Sequence, residues 1–212
     1  MTAVLTGTDL RYTVGERTIL DRISVQASSG GVLAVRGPSG SGKSSLLAIL
    51  SGLIAPTAGT VTLDGVAVTP GSDLTLRRRF GLVLQGYGLV AALTARENVA
   101  VVLQATGVPR MEVRSRVQSV LDRVDLTPVA DHLVEDLSGG QQQRVAVARA
   151  LVTATDVLLA DEPTAELDAD NRRLIVSLLL ERARSGAAVV IASHDPDVVD
   201  ACDDVLDLWS RR

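Results

Sequence analysis

The sequence predicts an α/β fold with a mostly parallel core sheet, an N-terminal antiparallel β-subdomain and an inserted α-helical subdomain. Three observations support this prediction. Residues 3–36 alternate apolar and polar side chains in short runs between glycines, residues 86–137 take the helical period, and the remaining chain alternates helices with buried apolar strands. The last pattern is typical of a parallel sheet covered by helices.

Glycines mark the ends of the strands and the helix that we predict in the first 85 residues. Residues 3–36 predict strands, a glycine-rich turn occupies residues 37–42, and Lys43–Ser51 predicts a helix that Gly52 stops. Further strands are expected over Gly59–Val68, with a turn at Asp64–Gly65, and over Phe80–Leu84. The arginine run at residues 77–79 is interpreted as a solvated face.

The second half of the chain changes to helices and buried strands. Helices are predicted over Thr94–Thr106, capped by Thr94 and Glu97, and over Pro109–Val124, with the proline in its first turn. Beyond these, we expect helices from Ser138 and over residues 168–184, and strands over Val157–Ala160, Ala188–Ala192 and near Val205–Leu208.

Composition narrows the classes of function. A length of 212 residues suits one domain. The net charge is −4 and only 2% of residues are aromatic, so the chain lacks the basic excess and the stacking surfaces of nucleic-acid binders. We therefore expect no nucleic-acid partner. Of the 21 basic residues only Lys43 is lysine, which indicates a position that needs a compact ammonium group.

A phosphate-binding loop is the clearest motif. Residues 37–44 match G-x-x-x-x-G-K-[ST], directly after an apolar strand and at the start of a helix. In such a loop the backbone N–H groups converge on phosphate oxygens, Lys43 adds a charge at the β- and γ-phosphates, and Ser44 can bind Mg²⁺. The predicted phosphate contacts are Gly37, Pro38, Ser39, Gly40, Ser41, Gly42, Lys43 and Ser44.

Two adjacent carboxylates close a later apolar strand. Asp161 and Glu162 follow Val157–Ala160 directly, at the end of a strand that should face the ligand crevice. We expect Asp161 to hold Mg²⁺, directly or through water, and Glu162 to orient and deprotonate the attacking water. The pair indicates an ATP-hydrolysing enzyme.

A second anion site is predicted at residues 137–141. Ser138 and Gln141 have the spacing of a capping box, and Gly139 and Gly140 leave the first helical turn without side chains. Glycines there cost stability but let an anion approach the N–H groups of the helix. Two anion sites about a hundred residues apart indicate nucleotide half-sites that another subunit completes.

These segments, in this order and spacing, resemble those of the nucleotide-binding subunits of ABC transporters over essentially the whole chain. The shared features are the phosphate loop, Gln85 after a strand, the Leu-Ser-Gly-Gly-Gln segment, the Asp-Glu pair, the turn at residues 166–168 and His194 after a strand. Residues 93–99 are similar to the branch of lipoprotein release, macrolide export and cell division. The implied domain division is an ATP-binding core, 1–85 and 138–212, with a helical subdomain, 86–137.

The resemblance also implies roles for single residues. Two copies would enclose two ATP molecules head to tail, so that Ser138 and Gly140, within the segment that ends at Gln141, contact the γ-phosphate bound by the partner. Gln85 would sense Mg²⁺ and the attacking water, and His194 would hydrogen-bond the γ-phosphate. The remaining implied contacts are Ser45 to the nucleotide, Asp168 across the dimer, and Tyr12 stacked on adenine, although a lone tyrosine also suits a core.

The expected function is that of an ATPase subunit that dimerises around two Mg-ATP and drives a separate membrane permease. The sequence contains no apolar stretch long enough to cross a bilayer, so we expect a cytoplasmic protein, held at the inner face of the cell membrane by its permease. The alternative is a regulatory ATPase that transmits force to an extracytoplasmic partner without transport. Only the identity of the partner protein, and not this sequence, distinguishes the transport ATPase from the regulatory ATPase.

Overall fold

Two units make up the structure, a computed structural model that describes residues 3–209. Unit 1 comprises residues 3–82, 155–162 and 179–209, and unit 2 comprises residues 83–154 and 163–178. Within the described range, no helix combines the length and the apolar character that a membrane crossing requires.

The structure has nine strands and seven α-helices within residues 3–209. The strands are β1 (Val4–Val14), β2 (Arg17–Ser28), β3 (Val32–Arg36), β4 (Ala58–Leu63), β5 (Val66–Ala67), β6 (Phe80–Val83), β7 (Val157–Asp161), β8 (Ala188–Ala192) and β9 (Asp204–Asp207). The helices are α1 (Lys43–Leu50), α2 (Leu74–Arg77), α3 (Ala95–Gln104), α4 (Arg110–Arg123), α5 (Gly139–Leu151), α6 (Ala169–Arg184) and α7 (Pro196–Asp200).

A four-stranded antiparallel sheet in unit 1 has the order β2-β1-β4-β5. The turn between β4 and β5 consists of Asp64 and Gly65, which both have positive φ angles, 53° and 79°. This backbone twist matches that of the flanking strands, which is why Asp-Gly is a preferred hairpin turn. The antiparallel β-subdomain and its predicted turn are therefore present.

The second sheet has the order β6-β7-β8-β3-β9, and β3 pairs in parallel with both β8 and β9, as β7 does with β8. Every residue of β7 and β8 is buried, as their continuous apolar sequences require of central parallel strands. The carboxyl ends of β3, β7 and β8 meet at one edge of the sheet. This edge carries the residues that follow each strand.

The interpretation of residues 77–79 as a solvated face is wrong for Arg79. Its guanidinium pairs with Asp64, in the β4–β5 turn, and with Asp156 at 2.5 Å, just before β7. These contacts raise the pKa of Arg79, chiefly through the hydrogen bond to Asp64. The sequence did not reveal these ion pairs because both carboxylates are distant from Arg79 in the chain.

The short helices α2 and α7 were also not predicted, since four or five residues carry no helical period.

Unit 2 contains α3, α4, α5 and the first part of α6. Its interior is aliphatic, with Leu103, Val117, Leu121 and Val145 at most 1% exposed. The capping box predicted at Thr94 is present: its hydroxyl accepts from the N–H of Glu97, whose carboxylate accepts from the N–H of Thr94. Pro109 precedes α4 as its cap and is not part of the first turn.

Candidate active site

The phosphate loop follows β3 and leads into α1, as the sequence predicts. Lys43, the first residue of α1, is 8% exposed. Its Nζ donates to the carbonyl oxygens of Gly37 at 2.9 Å and Pro38 at 3.3 Å, so the ammonium lies inside the curve of the loop. An amino group held by carbonyls at this point is placed to meet an anion that enters the loop.

Gly42 can only be glycine in this loop. Its φ angle is 98°, and a Cβ atom there would lie 2.8 Å from Cδ2 of Leu20 and 3.0 Å from Cγ2 of Ile19. Both the left-handed backbone and the close approach of β2 exclude a side chain. As the residue before α1, Gly42 leaves the first N–H groups of that helix without a side-chain cap. N–H groups at the start of a helix are a common binding site for phosphate.

Three buried side-chain oxygens in unit 1 have no hydrogen-bond partner among the described residues. One is Oγ1 of Thr155, before β7, and the other two lie at the site: Oγ of Ser41, in the loop, and Oδ1 of Asp161, at the end of β7. Asp161 is 5% exposed and forms a hydrogen bond with Ser44, the residue after Lys43. Burial raises the pKa of Asp161, and the hydrogen bond with Ser44 and the charge of Lys43 offset this effect only in part.

The orphaned carboxylate oxygen fits a Mg²⁺ ion. Mg²⁺ is commonly held by one or two protein oxygens together with phosphates and water, and Asp161 with Ser44 supplies such a pair. Within residues 3–209 no three His, Cys, Asp or Glu side chains cluster in a way that could hold a metal ion. Ser44 and Asp161 therefore offer oxygens in unit 1 that fit a Mg²⁺ ion, and their role as its ligands stays a prediction.

Glu162 connects three elements at the edge of the parallel sheet. Its Oε1 lies 2.8 Å from Nδ1 of His194 and 3.6 Å from Nζ of Lys43, and its Oε2 lies 3.4 Å from Oγ of Ser193. Lys43 begins α1, whereas Ser193 and His194 follow β8. The side chain of Glu162 is thus held on two sides by potential cations.

The backbone of Glu162 is strained. Its φ angle is 47°, a left-handed conformation that is unfavourable for a glutamate, and its N–H donates to the carbonyl oxygen of Ala192 at 2.9 Å. Such strain persists where the surroundings fix the residue, and it is frequent at active sites. The side chain of His194, which contacts Glu162, is accessible to solvent, with 68% of its surface exposed.

The segment Ser138–Gln141 lies in unit 2 and starts α5 with the predicted capping box. The N–H of Ser138 donates to Oε1 of Gln141 at 2.9 Å, and the N–H of Gln141 donates to Oγ of Ser138 at 3.3 Å. A Cβ atom at Gly140 would lie 2.9 Å from the carbonyl oxygen of Glu166, whereas one at Gly139 would have 3.5 Å to its nearest neighbour. Gly140 is therefore required by packing, and Gly139 is not.

Gln85 and Asp168 also belong to unit 2. Gln85 is exposed in the segment directly after β6. Asp168 precedes α6 and accepts at Oδ1 from the N–H of Asn171 at 2.8 Å and at Oδ2 from the Asn171 side chain at 2.8 Å. These bonds lower the pKa of Asp168. Asp168 is thus a helix cap, a role that the sequence interpretation missed although Asp at this spacing is a common cap.

Two cavities adjoin the phosphate loop, and Trp209 lines both. One, of about 650 Å³, is also lined by Ile19, Pro38 and Ser41, and the other, of about 360 Å³, by Pro38 and His194. Tyr12 is partly buried against the hydrophobic core and lines neither of them. The sequence interpretation missed Trp209, which is the only tryptophan, 65% exposed, and the last residue that the structure describes.

The structure thus brings together in unit 1 the loop residues 37–45 with Asp161, Glu162 and His194. Gln85, Ser138, Gly139, Gly140, Gln141 and Asp168 lie in unit 2, where residues 139 and 140 contact the segment around Glu166. The combination of the phosphate loop, the Asp161–Glu162 pair and the parallel sheet defines a P-loop nucleotide-binding protein.

Comparison with known proteins identifies the family. The family description "ABC transporter" matches residues 20–165. An uncharacterized ABC transporter ATP-binding protein of Mycobacterium tuberculosis, Rv2564, is 41% identical over 197 residues, which cover 91% of this chain and 60% of that protein. The methionine import ATP-binding protein MetN 2 of Paraburkholderia xenovorans is 40% identical over 191 residues, 88% of this chain and 50% of that protein. The chain therefore spans only about half to three fifths of these relatives.

A solved structure matches over nearly its whole length. The dimeric structure of MJ0796, described as a bacterial ABC transporter cassette, has a TM-score of 0.87 and 34% identity, covering 96% of this chain and 94% of that one. A second structure of MJ0796, with the same score, is a post-hydrolysis state bound to ADP and Pi. These matches confirm the expected fold and ATPase class: the chain belongs to the ABC transporter family. They do not test the predicted branch.

Proposed function

We propose that this chain binds Mg-ATP at the phosphate loop, hydrolyses it as one half of a head-to-tail dimer, and drives a separate membrane permease. The observation that carries the proposal is the convergence of Lys43, Asp161, Glu162 and His194 at the carboxyl edge of the parallel sheet. ATP-hydrolysing proteins need a phosphate cradle, a metal ligand and a base at this edge.

The chemistry assigned to each residue follows from its environment. Lys43, with the N–H groups of α1, would bind the β- and γ-phosphates in place of the loop carbonyls. Glu162 would accept a proton from the attacking water, and its strained backbone fixes the carboxylate for that task. His194 contacts Glu162 through Nδ1, and in the doubly protonated form of the ring Nε2–H would also donate to the γ-phosphate. Mg²⁺, bound by Ser44 and Asp161, would neutralise phosphate charge.

The dimer is proposed from the second anion site and from the relatives. The first turn of α5 presents N–H groups beside two glycines, a site suited to a γ-phosphate that the phosphate loop of a partner binds. MJ0796, 34% identical, forms a dimer in its solved structure. In the proposed dimer Gln85 would contact Mg²⁺ and the attacking water, and Asp168 would lie at the interface. A second copy of this chain is the simplest partner.

The permease is proposed from the character of the inserted helical segment. Residues 86–137 present exposed apolar side chains, including Val90, Val101 and Leu133, which are 49%, 40% and 37% exposed. We assign this segment as the permease-binding subdomain and residues 1–85 and 138–212 as the ATP-binding core. The chain would then act in the cytoplasm at the inner face of the membrane.

Light scattering during size-exclusion chromatography tests the dimer. Glu162→Gln removes the base but preserves the size of the side chain, so we expect this variant to shift from monomer to dimer when Mg-ATP is added. The same variant carrying Lys43→Ala should stay monomeric. A monomer under both conditions, with ATP bound, would contradict the role assigned to Ser138–Gln141. Absence of Mg²⁺-dependent ATP hydrolysis by the unmodified protein would contradict the proposed function as a whole.

A further inference from the structure

Arg149 lies in the last turn of α5 and is partly buried without a carboxylate partner. Its Nη1 donates to the carbonyl oxygen of Gly88 at 2.6 Å and its Nη2 to that of Tyr87 at 2.7 Å. Burial lowers the pKa of Arg149, and no Asp or Glu of residues 3–209 pairs with it. A guanidinium in this setting is costly for stability alone, because a neutral side chain would avoid the loss of hydration.

The segment that Arg149 binds has an unusual backbone. Gly86, Tyr87 and Gly88 have consecutive positive φ angles of 77°, 63° and 58°. Left-handed conformations cost energy in any residue except glycine, and three in a row do not form a regular structure of their own. Local backbone hydrogen bonds, from the N–H of Tyr87 to the carbonyl oxygen of Leu84 at 3.0 Å and from that of Gly88 to that of Gly86 at 2.7 Å, hold part of the segment, and contacts from outside add to them. The two hydrogen bonds from Arg149 supply them at the second and third of these residues.

Tyr87 extends this contact along α5. Its backbone carbonyl binds Arg149 near the end of the helix, while its hydroxyl lies 3.8 Å from the position of a Cβ atom at Gly139, the first residue of the helix. Burial and the nearby charge of Glu166 raise the pKa of the Tyr87 hydroxyl. Arg149 and Tyr87 together thus connect the last turn of α5 with its start, because helical side chains tilt toward the N-terminus and the tyrosine ring continues in that direction.

We propose that Arg149 is a positioning residue that locks the segment after Gln85 onto α5. Because Gln85 directly precedes Gly86, fixing residues 86–88 fixes the direction in which Gln85 leaves β6. The same helix begins with Ser138 and Gly139, so one rigid element carries both the second anion site and the segment of Gln85. Movement of either is transmitted to the other through Tyr87 and Arg149. This inference rests on the proposed function.

Steady-state ATP hydrolysis by variants tests the inference. In Arg149→Met both hydrogen bonds are lost, and we expect kcat to fall about tenfold while KM and the ATP affinity stay within about twofold, since the phosphate loop is untouched. Arg149→Lys keeps the charge and should recover part of the kcat. If Arg149 acts through Gln85, the double variant Gln85→Ala, Arg149→Met should be no slower than Gln85→Ala alone.

A matched control separates positioning from stability. Arg182 is also partly buried, with a pKa lowered by burial, and donates to the carbonyl oxygen of Thr155, at the opposite end of β7 from Asp161. Arg182→Met should lower the Tm without changing the kcat of the folded protein. A kcat of Arg149→Met and Arg149→Lys equal to that of the unmodified enzyme, or a loss that adds fully to that of Gln85→Ala, would overturn the inference. An inactive unmodified protein would instead refute the proposed function.

Discussion

Nζ of Lys43 lies 3.6 Å from Oε1 of Glu162, so the only lysine of the chain and the proposed base face each other across the phosphate loop. Lys43→Ala removes the charge that the γ-phosphate would meet, and we expect ATP binding to fall below detection in isothermal titration. Lys43→Arg keeps the charge, but its planar group does not fit the carbonyls of Gly37 and Pro38, so binding should still fall at least about tenfold. ATP affinity close to normal in either variant would contradict the phosphate-loop assignment.

Neutralising Asp161 should stabilise the protein and abolish hydrolysis. Because burial raises the pKa of Asp161, the folded state binds a proton that the unfolded chain has already lost, and the free energy of unfolding falls as pH rises through the window above the ordinary carboxyl pKa. Asp161→Asn removes this penalty, so the Tm at pH 7 should rise by about 2–4 °C for each kcal/mol recovered, whereas below about pH 3.9 the two proteins should melt alike.

Asp168→Asn is the matched control for that experiment. The pKa of Asp168 is lowered by its hydrogen bonds to Asn171, so its stabilising contribution is present above the ordinary carboxyl pKa and is lost as pH falls through the lowered value. Its neutralisation should leave the Tm at pH 7 unchanged or lower it. A rise in Tm for Asp168→Asn, or a fall for Asp161→Asn, would contradict the conclusion that the ionised carboxylate of Asp161, and not that of Asp168, destabilises the folded protein.

The two glycines at the start of α5 should respond differently to alanine. Gly140→Ala places a Cβ atom 2.9 Å from the carbonyl oxygen of Glu166, so the Tm should fall by several degrees and hydrolysis should be lost. Gly139→Ala has room and favours the helix, so its Tm should hold or rise while hydrolysis falls, because the methyl group covers the N–H groups. Thermal melts and ATPase rates of both variants check this. Full activity in Gly139→Ala would exclude an anion at this turn.

Trp209 should report nucleotide binding directly. It is the only tryptophan and lines both cavities beside Pro38, so ATP that enters the loop changes its surroundings. We expect the Trp209 emission to decrease on titration with ATP and to stay constant in Lys43→Ala. The same titration of Tyr12→Leu should be unaltered if Tyr12 serves the core, and it should shift to weaker binding if Tyr12 stacks on adenine.

The local sequence was sufficient to predict those parts of the site that are formed by residues adjacent in the chain. The phosphate loop, the Asp161–Glu162 pair and the Ser138–Gln141 cap each lie within eight residues, and each was predicted at its place, because turn geometry and helix caps are set by neighbours in the chain. Strands β7 and β8 were equally clear, since a continuous apolar run admits few alternatives to a buried parallel strand.

Contacts between distant residues could not be predicted in this way. Nothing in the sequence links Arg149 to Tyr87, which are 62 residues apart, or Arg79 to Asp156, which are 77 apart. Arg79 occurs in a run that the sequence analysis interpreted as a solvated face, and the sequence analysis assigned no contact to Arg149. Which carbonyl or carboxylate each one meets is determined by how the elements pack, and packing depends on the whole chain.

The sequence by itself determined the family, the parallel sheet and the chemical groups of the site, because backbone geometry and residue type are local properties. Only the tertiary structure decided how those groups meet: that Glu162 lies between Lys43 and His194, that one oxygen of Asp161 is buried without a partner, and that Trp209 and not Tyr12 lines the cavities. Each of these relationships joins residues on different strands, helices or loops. It is therefore determined only when the apolar strands and helices pack together and are buried.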